Sequence, residues 1–349
     1  MRRLIAALAA IALVTLLAGV ARYTSGVSEV LAFVLATLSL AGLAWIVSFS
    51  TEEVGRRFGP GGTGLMHSTV GNLPEFFVVI FALNAGQKTV AQTAILGSIL
   101  VNALLVLGLV IIAGAVRARD GKMRFSSRLP NDTATLLLLS TFIIVLIGLS
   151  LASGDLASHH QKTISIIGAI AILVVYAIWV RGYLSSEGPP QQDSEPRPIG
   201  TPIAVGLLVV AGVGSAFVSD WFVHALQPTI NQLHISQAFA GLVIVAIAGN
   251  AVENVAGIVL AYKGQSDLAI SVVKNSVAQI AAFLFPVLVL VSLLTSTTLT
   301  FALAPVYIGA LFVTALIVWQ VTGDGEATPF EGAALVATFV ILATVAAFE

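Results

Sequence analysis

The stretch Gly71-Asn72-Leu73-Pro74-Glu75 sets a carboxylate in the middle of an apolar run from about residue 63 to 83. A charged side chain at the centre of a hydrocarbon layer costs roughly 2.5–3.5 kcal/mol on insertion scales, so Glu75 reads as a working residue. A second copy, Gly249-Asn250-Ala251-Val252-Glu253, sits in an equally apolar run. Glu75 and Glu253 are 178 positions apart, and the same offset carries Gly71 onto Gly249, Asn72 onto Asn250, Gly86-Gln87 onto Gly264-Gln265 and Ser98 onto Ser276. One gapless register across these pairs marks an internal duplication.

Each copy offers the same chemistry. Glycine allows close helix approach, asparagine brings a neutral amide oxygen, and glutamate brings charge. Pro74 has no amide hydrogen, so it is expected to release the carbonyl of Val70 toward a cation, with Gly71 and Gly249 loosening the backbone. Ser98 and Ser276 each follow their acid by 23 residues. Asn102 lies one helical turn beyond Ser98, and Gln279 three residues beyond Ser276, each on the same face as its serine. The set is all oxygen, which suits calcium with its six to eight flexible ligands. Sodium is also compatible, whereas zinc and copper favour His or Cys, and the chain has no cysteine.

Two carboxylates sharing a buried site cannot both stay ionised without a cation. The affordable states are both protonated, or both ionised around a metal. A protein that reorients only in those states is an exchanger, with Glu75 and Glu253 as metal ligands and proton carriers. No cofactor is expected beyond the transported Ca2+ or other cation and H+. Structural readings stand beside these: a buried hydrogen bond for the acids, helix adhesion for Asn72 and Asn250, and backbone bonding for Ser98 and Ser276. His67, two turns before Glu75, either relays protons or bonds a neighbouring helix.

These residues need a membrane around them. The 349 residues are 58% hydrophobic and 9% charged, with a mean hydropathy of +1.01, too little charge to cover a soluble domain of this length. The apolar runs are about 20 residues long and do not alternate as barrel strands would. We therefore expect an all-α polytopic membrane protein of eleven transmembrane helices, near 4–22, 28–50, 63–83, 89–116, 130–151, 163–184, 201–223, 237–261, 267–292, 301–320 and 331–348. Residues 185–200 hold Pro189, Pro190, Pro196 and Pro198 with Glu187, Asp193 and Glu195, the composition of an exposed acidic linker. With the N-terminus cytosolic, twelve Lys and Arg fall on the inner side and only Arg22, Lys88 and Lys162 outside, which places the C-terminus outside. The division is then a first helix in 1–26, a five-helix repeat in 27–184, the cytosolic linker 185–200 and a second five-helix repeat in 201–349. An odd number of spans per repeat makes the two inverted, as in many secondary transporters.

At these motifs the chain resembles the cation/proton exchanger branch of the calcium/cation antiporter superfamily. The matching residues are Gly71-Asn72-Leu73-Pro74-Glu75, Leu96-Gly97-Ser98-Ile99-Leu100-Val101-Asn102 with the run to Gly108, Gly249-Asn250-Ala251-Val252-Glu253 and Gln279-Ile280-Ala281. Asp324-Gly325-Glu326 with Glu331-Gly332 is similar to the segment before that family's last span. The resemblance covers about residues 27–349 and implies eleven spans, a cytosolic N-terminus, and calcium expelled or sequestered in exchange for protons. It also implies that the two Glu residues, their Asn partners and the Ser positions line the site. The chain departs from the pattern at Asn254, where many members have His, and at Lys274, where an apolar residue is usual. A lysine pointing into the site would favour a monovalent cation. Lys274 and Ser276, however, lie about 200° apart around a helix, so Lys274 is expected to snorkel or contact another helix rather than tune selectivity.

The competing reading within transport is a sodium or potassium/proton antiporter on the same scaffold. An ion channel would use the same oxygens without needing acids that titrate. No His-Glu-x-x-His motif and no Ser/His pairing occurs within the spans, so no enzyme is expected. The expected partners are cations, protons and the lipid bilayer, with no nucleic acid, in a prokaryotic cytoplasmic (inner) membrane. Glu52 and Glu53, with Arg56 and Arg57, read as a solvated face, and Asp324, Glu326 and Glu331 as acids near a membrane surface.

Overall fold

A computed structural model of the chain describes residues 2–55, 70–126, 128–186 and 199–349, apart from the side chains of residues 55, 128–130, 183–186, 252 and 253. Its helices are α1 (Arg2–Tyr23), α2 (Glu29–Gly55), α3 (Leu73–Asn84), α4 (Lys88–Arg117), α5 (Arg128–Ser153), α6 (Gln161–Ser186), α7 (Thr201–Leu233), α8 (Gln237–Gly249), α9 (Ala251–Tyr262), α10 (Ser266–Leu294), α11 (Pro305–Thr322) and α12 (Pro329–Ala347). Two short strands, β1 (Met123–Arg124) and β2 (Glu326–Ala327), complete it. Among the described residues nine helices are long and apolar enough to cross a membrane, and the bent pair α8–α9 brings the number to ten when counted as one span. The expected third span begins within 56–69, outside the described residues, as do His67, Arg56 and Arg57.

The duplication is written in the backbone. Asn72 and Asn250 adopt nearly the same conformation, φ −90°, ψ 15° and φ −100°, ψ 11°, each at the start of a helix. After each of those helices comes a left-handed glycine, Gly86 at φ 74° and Gly264 at φ 83°. The next amide reaches back five residues in both copies, Gln87 to Ala82 at 2.8 Å and Gln265 to Leu260 at 3.0 Å. A side chain at either glycine would strain that closing turn. The central helices α4 and α10 are the most buried candidate spans, and each widens into a π-helical turn, Val101–Val106 and Ile280–Leu284, at matching positions. Such turns gather at functional sites because they leave the regular hydrogen-bond ladder.

One expectation is corrected here. The expected unbroken span 237–261 is bent, with α8 and the segment from Asn254 meeting at 58°. Pro74 sits in the first turn of α3, where no amide hydrogen is required.

Contacts between loops sort them onto two faces. On one, β1 pairs antiparallel with β2, Met123 opposite Ala327 and Arg124 opposite Glu326. Asp267 accepts the Ser126 amide at 2.6 Å beside this clasp. On the other, Ser296 donates to the carbonyls of Leu83 and Asn84 at 3.0 Å. The Gly264 turn thus lies at the clasp and the Gly86 turn at the far end of α4, so the matching segments run in opposite directions. The clasp is charged: Lys122 meets Glu326 at 2.5 Å and Arg124 meets Asp120 at 2.6 Å. Glu331 closes a capping box with Thr328 at the start of α12. The acids Glu326 and Glu331 are therefore engaged rather than merely solvated. Glu53 differs from expectation too: Glu52 is exposed, but Glu53 is buried at the end of α2.

Helices cross closely where glycine permits. A Cβ on Gly97 of α4 would lie 2.3 Å from the Leu242 carbonyl oxygen of α8, and one on Gly241 would lie 2.0 Å from Thr93 Oγ1. Gly97→Ala is expected to lower stability by about 1–3 kcal/mol, because backbone rather than a flexible side chain must yield; thermal unfolding in detergent measures it. At the clasp, the hydrogen bond from Arg124 holds the Asp120 carboxyl below its usual range, and Glu326 raises Lys122. A lowered carboxyl stabilises above its unfolded pKa, and that contribution fades as pH falls through the folded value. The melting-temperature difference between the parent and Asp120→Asn is accordingly expected to be present at pH 7 and to vanish in strong acid.

Candidate functional site

The sequence motifs converge where α3, α4, α10 and the α8–α9 bend meet. Glu75 lies in the first turn of α3, buried, with its Oε1 accepting from Ser98 Oγ of α4 at 2.7 Å. The same oxygen accepts from Asn250 Nδ2, at the bend, at 2.5 Å. Asn250 Nδ2 also contacts the Ala246 carbonyl and Ser98 Oγ, both at 3.0 Å. The carboxylate of one half is therefore held by the asparagine of the other.

Asn102 sits behind this pair, fully buried at the start of the α4 π turn. Its Nδ2 donates to the Ser98 carbonyl at 2.9 Å, to Asn250 Oδ1 at 3.1 Å and to Ser276 Oγ of α10 at 3.3 Å. Backbone carbonyls accept only, so Ser98 O fixes the amide orientation of Asn102, and Ala246 O fixes that of Asn250. With both fixed, the amide oxygen of Asn250 points at Asn102 and its nitrogen at Glu75. Asn102 Oδ1 is buried with no hydrogen-bond partner among the described residues.

Gly249 explains itself here. A Cβ at that position would lie 3.0 Å from Glu75 Cγ and 3.1 Å from its Oε1, so the acid occupies the space that glycine leaves. Asn72 is buried, and its Nδ2 has no partner among the described residues. Val70 is helical, and Gly71 and Asn72 after it form a turn. Asn254, one turn after Asn250, has its Oδ1 buried and unpartnered among the described residues. Gln279 is buried on α10 and forms no hydrogen bond with this cluster among the described residues. The side chain of Glu253 lies outside the described residues; its backbone is in α9.

Lys274 is turned away from the cluster. It is 1% exposed, and its Nζ donates to Thr322 Oγ1 of α11 at 3.2 Å, with Thr322 donating in turn to Val318 O at 2.7 Å. The ammonium therefore contacts a helix and does not snorkel to a surface. Sequence reasoning missed Asn102 as the link to the second half. A signal was present: its counterpart 178 positions on is Ile280, so it is a polar group that the second copy lacks.

Comparison with known proteins places this arrangement. The family model described as sodium/calcium exchanger protein matches residues 28–182 and 203–348. A vacuolar calcium ion transporter of Schizosaccharomyces pombe is 31% identical over 323 residues, which cover 89% of this chain and 77% of that one. The Ca2+/H+ antiporter ChaA of Bacillus subtilis is 28% identical over 317 residues, 89% of this chain and 90% of the relative. Among solved structures, native YfkE superposes with a TM-score of 0.81 at 25% identity, covering 99% of both chains. The H+/Ca2+ exchanger CAX gives 0.76 at 17% identity, covering 96% of this chain and 86% of that one, a likeness of fold.

Replacing a buried, hydrogen-bonded charge by an apolar side chain of similar size is often neutral or stabilising. Lys274→Met is expected to leave the melting temperature unchanged or raised, and to leave cation affinity within about twofold, which thermal unfolding and cation titration of the same sample would measure together.

Proposed function

Since this chain belongs to the sodium/calcium exchanger family, we propose that it is a Ca2+/H+ antiporter that expels cytosolic calcium by alternating access. The observation that carries this reading is the pairing of Glu75 of one half with Asn250 of the other, inside a buried cluster of amide and hydroxyl groups. The names of the relatives support calcium as cargo, and the strong bias of Lys and Arg toward one side supports the orientation of the chain in the membrane.

Glu75 and Glu253 are the ligands and the proton carriers, and Asn72, Asn250, Ser98 and Ser276 complete an all-oxygen set. When calcium enters, both acids are ionised and the metal offsets their charge. When it leaves, each acid takes a proton, because an ionised pair in so apolar a place would be unsupported. Reorientation with an empty, ionised site is blocked by the same cost, and this ties the two fluxes together. Asn250 has its Oδ1 engaged by Asn102, so its amide must turn before that oxygen can meet a metal. Asn102 offers its own unpartnered Oδ1 at the same place and can take over as a ligand. The protein resides in a cytoplasmic membrane, with the β1–β2 clasp on the cytosolic side.

The experiment is proton release from proteoliposomes on adding calcium, sodium or potassium under an imposed pH gradient. Calcium alone is expected to drive it, and release driven only by sodium or potassium would move the protein to the monovalent branch. Glu75→Gln and Glu253→Gln are each expected to abolish exchange; substantial calcium-coupled flux in either would refute their role. Asn102→Leu removes the buried amide oxygen that would serve as a ligand. It is expected to raise the half-saturating calcium concentration at least tenfold while flux at saturation falls less.

A further inference from the structure

Arg22 runs against the charge pattern of the chain, as one of three basic residues on the side that the Lys and Arg distribution marks as outer. It closes α1 on the face opposite the β1–β2 clasp, beside a cavity of about 130 Å3 between the end of α1, the start of α2 and residues 221–225 of α7. Thr24, Ser25, Glu29, Trp221 and His224 are among its lining residues. The Nε of Arg22 is buried there with no hydrogen-bond partner among the described residues. A buried donor in that condition costs free energy unless something arrives to accept from it.

The surroundings say what that is. Tyr23 and Trp221 meet edge to face at 6.2 Å, and the indole N–H donates to the Tyr23 hydroxyl at 3.3 Å. Such pairs mark the level of lipid headgroups. Along the same helix Leu13, Leu16, Leu17 and Val20 are exposed, and only 6% of the apolar stretch of α1 is buried. At this depth the abundant anion is a phosphodiester, and a guanidinium matches phosphate oxygens in geometry and charge. We propose that this cavity binds the phosphate of a phospholipid from the leaflet opposite the clasp, its acyl chains lying along the exposed side of α1. A space of about 130 Å3 takes a headgroup but not a chain. Arg22 grips the phosphate, with His224 beside it, and the Glu29 carboxylate accepts from an amine, so ethanolamine lipid is favoured over choline lipid, whose nitrogen carries no hydrogen.

The test uses the full chain, purified and delipidated, with native mass spectrometry and thermal unfolding in the presence of phosphatidylethanolamine, phosphatidylcholine, diacylglycerol or inorganic phosphate. Phosphatidylethanolamine is expected to bind one to one and raise the melting temperature, phosphatidylcholine to do so more weakly, and diacylglycerol and inorganic phosphate to do neither. Arg22→Gln is expected to weaken phospholipid binding at least tenfold and Arg22→Lys to retain part of it, while Glu29→Gln erases the preference for ethanolamine. Equal binding of diacylglycerol and phospholipid by the parent protein overturns the proposal even if Arg22→Gln does not fold. Undiminished phospholipid binding by folded Arg22→Gln overturns it as well, and stabilisation by inorganic phosphate alone would reassign the cavity to a soluble anion.

Discussion

A carboxylate placed in hydrocarbon has to find its hydrogen bonds inside the protein, and Glu75 finds them on other helices. Ser98 comes from α4 and Asn250 from the bend between α8 and α9. Much of the surrounding architecture follows from bringing these three together. The helix bends at Asn250, whose side-chain amide reaches the acid while its backbone N–H still bonds the Ala246 carbonyl at 3.2 Å. Residue 249 must lack a side chain so that the acid fits. Residue 97 must lack one so that α4 and α8 approach within backbone contact. Polar groups that would be costly singly are tolerable because they satisfy one another.

The two halves share a plan but not every residue. Their asparagine breaks, closing glycine turns and π turns coincide under one offset, whereas Asn102 is answered by Ile280 and Pro74 by Val252. Asn102 thereby makes the site one-sided, because a single amide from the first half serves a serine and an asparagine of the second. Lys274 adds a second asymmetry at a distance, tying α10 to α11 through Thr322 rather than entering the cluster.

The helical membrane architecture was legible from apolar runs alone, and the motif residues from their repetition. What could not be read locally depends on partners far along the chain. Asn102 looks like any polar residue one turn after a serine until Asn250 and Ser276 are seen beside it. Pro74 marks a missing amide hydrogen in sequence, but its place in a first helical turn shows only in the fold. Glu53, next to exposed Glu52, carries no mark of its burial, since exposure is decided by what packs on α2. The β1–β2 clasp was invisible because two-residue strands have no period to detect. Lys274 was read correctly in direction by helical geometry, but its buried helix contact and snorkelling look alike until Thr322 is placed.

The clasp joins residues about two hundred positions apart: Lys122 meets Glu326 across 204, and Glu75 meets Asn250 across 175. During synthesis the first half therefore enters the bilayer before the donors contributed by the second half exist. Until α8 arrives, Glu75 has Ser98 but not Asn250, and β1 waits for almost the last helix to be made. Assembly of the centre is in this sense a late event, and a ribosome that stalls between the halves releases a fragment carrying a half-dressed acid and an open strand edge.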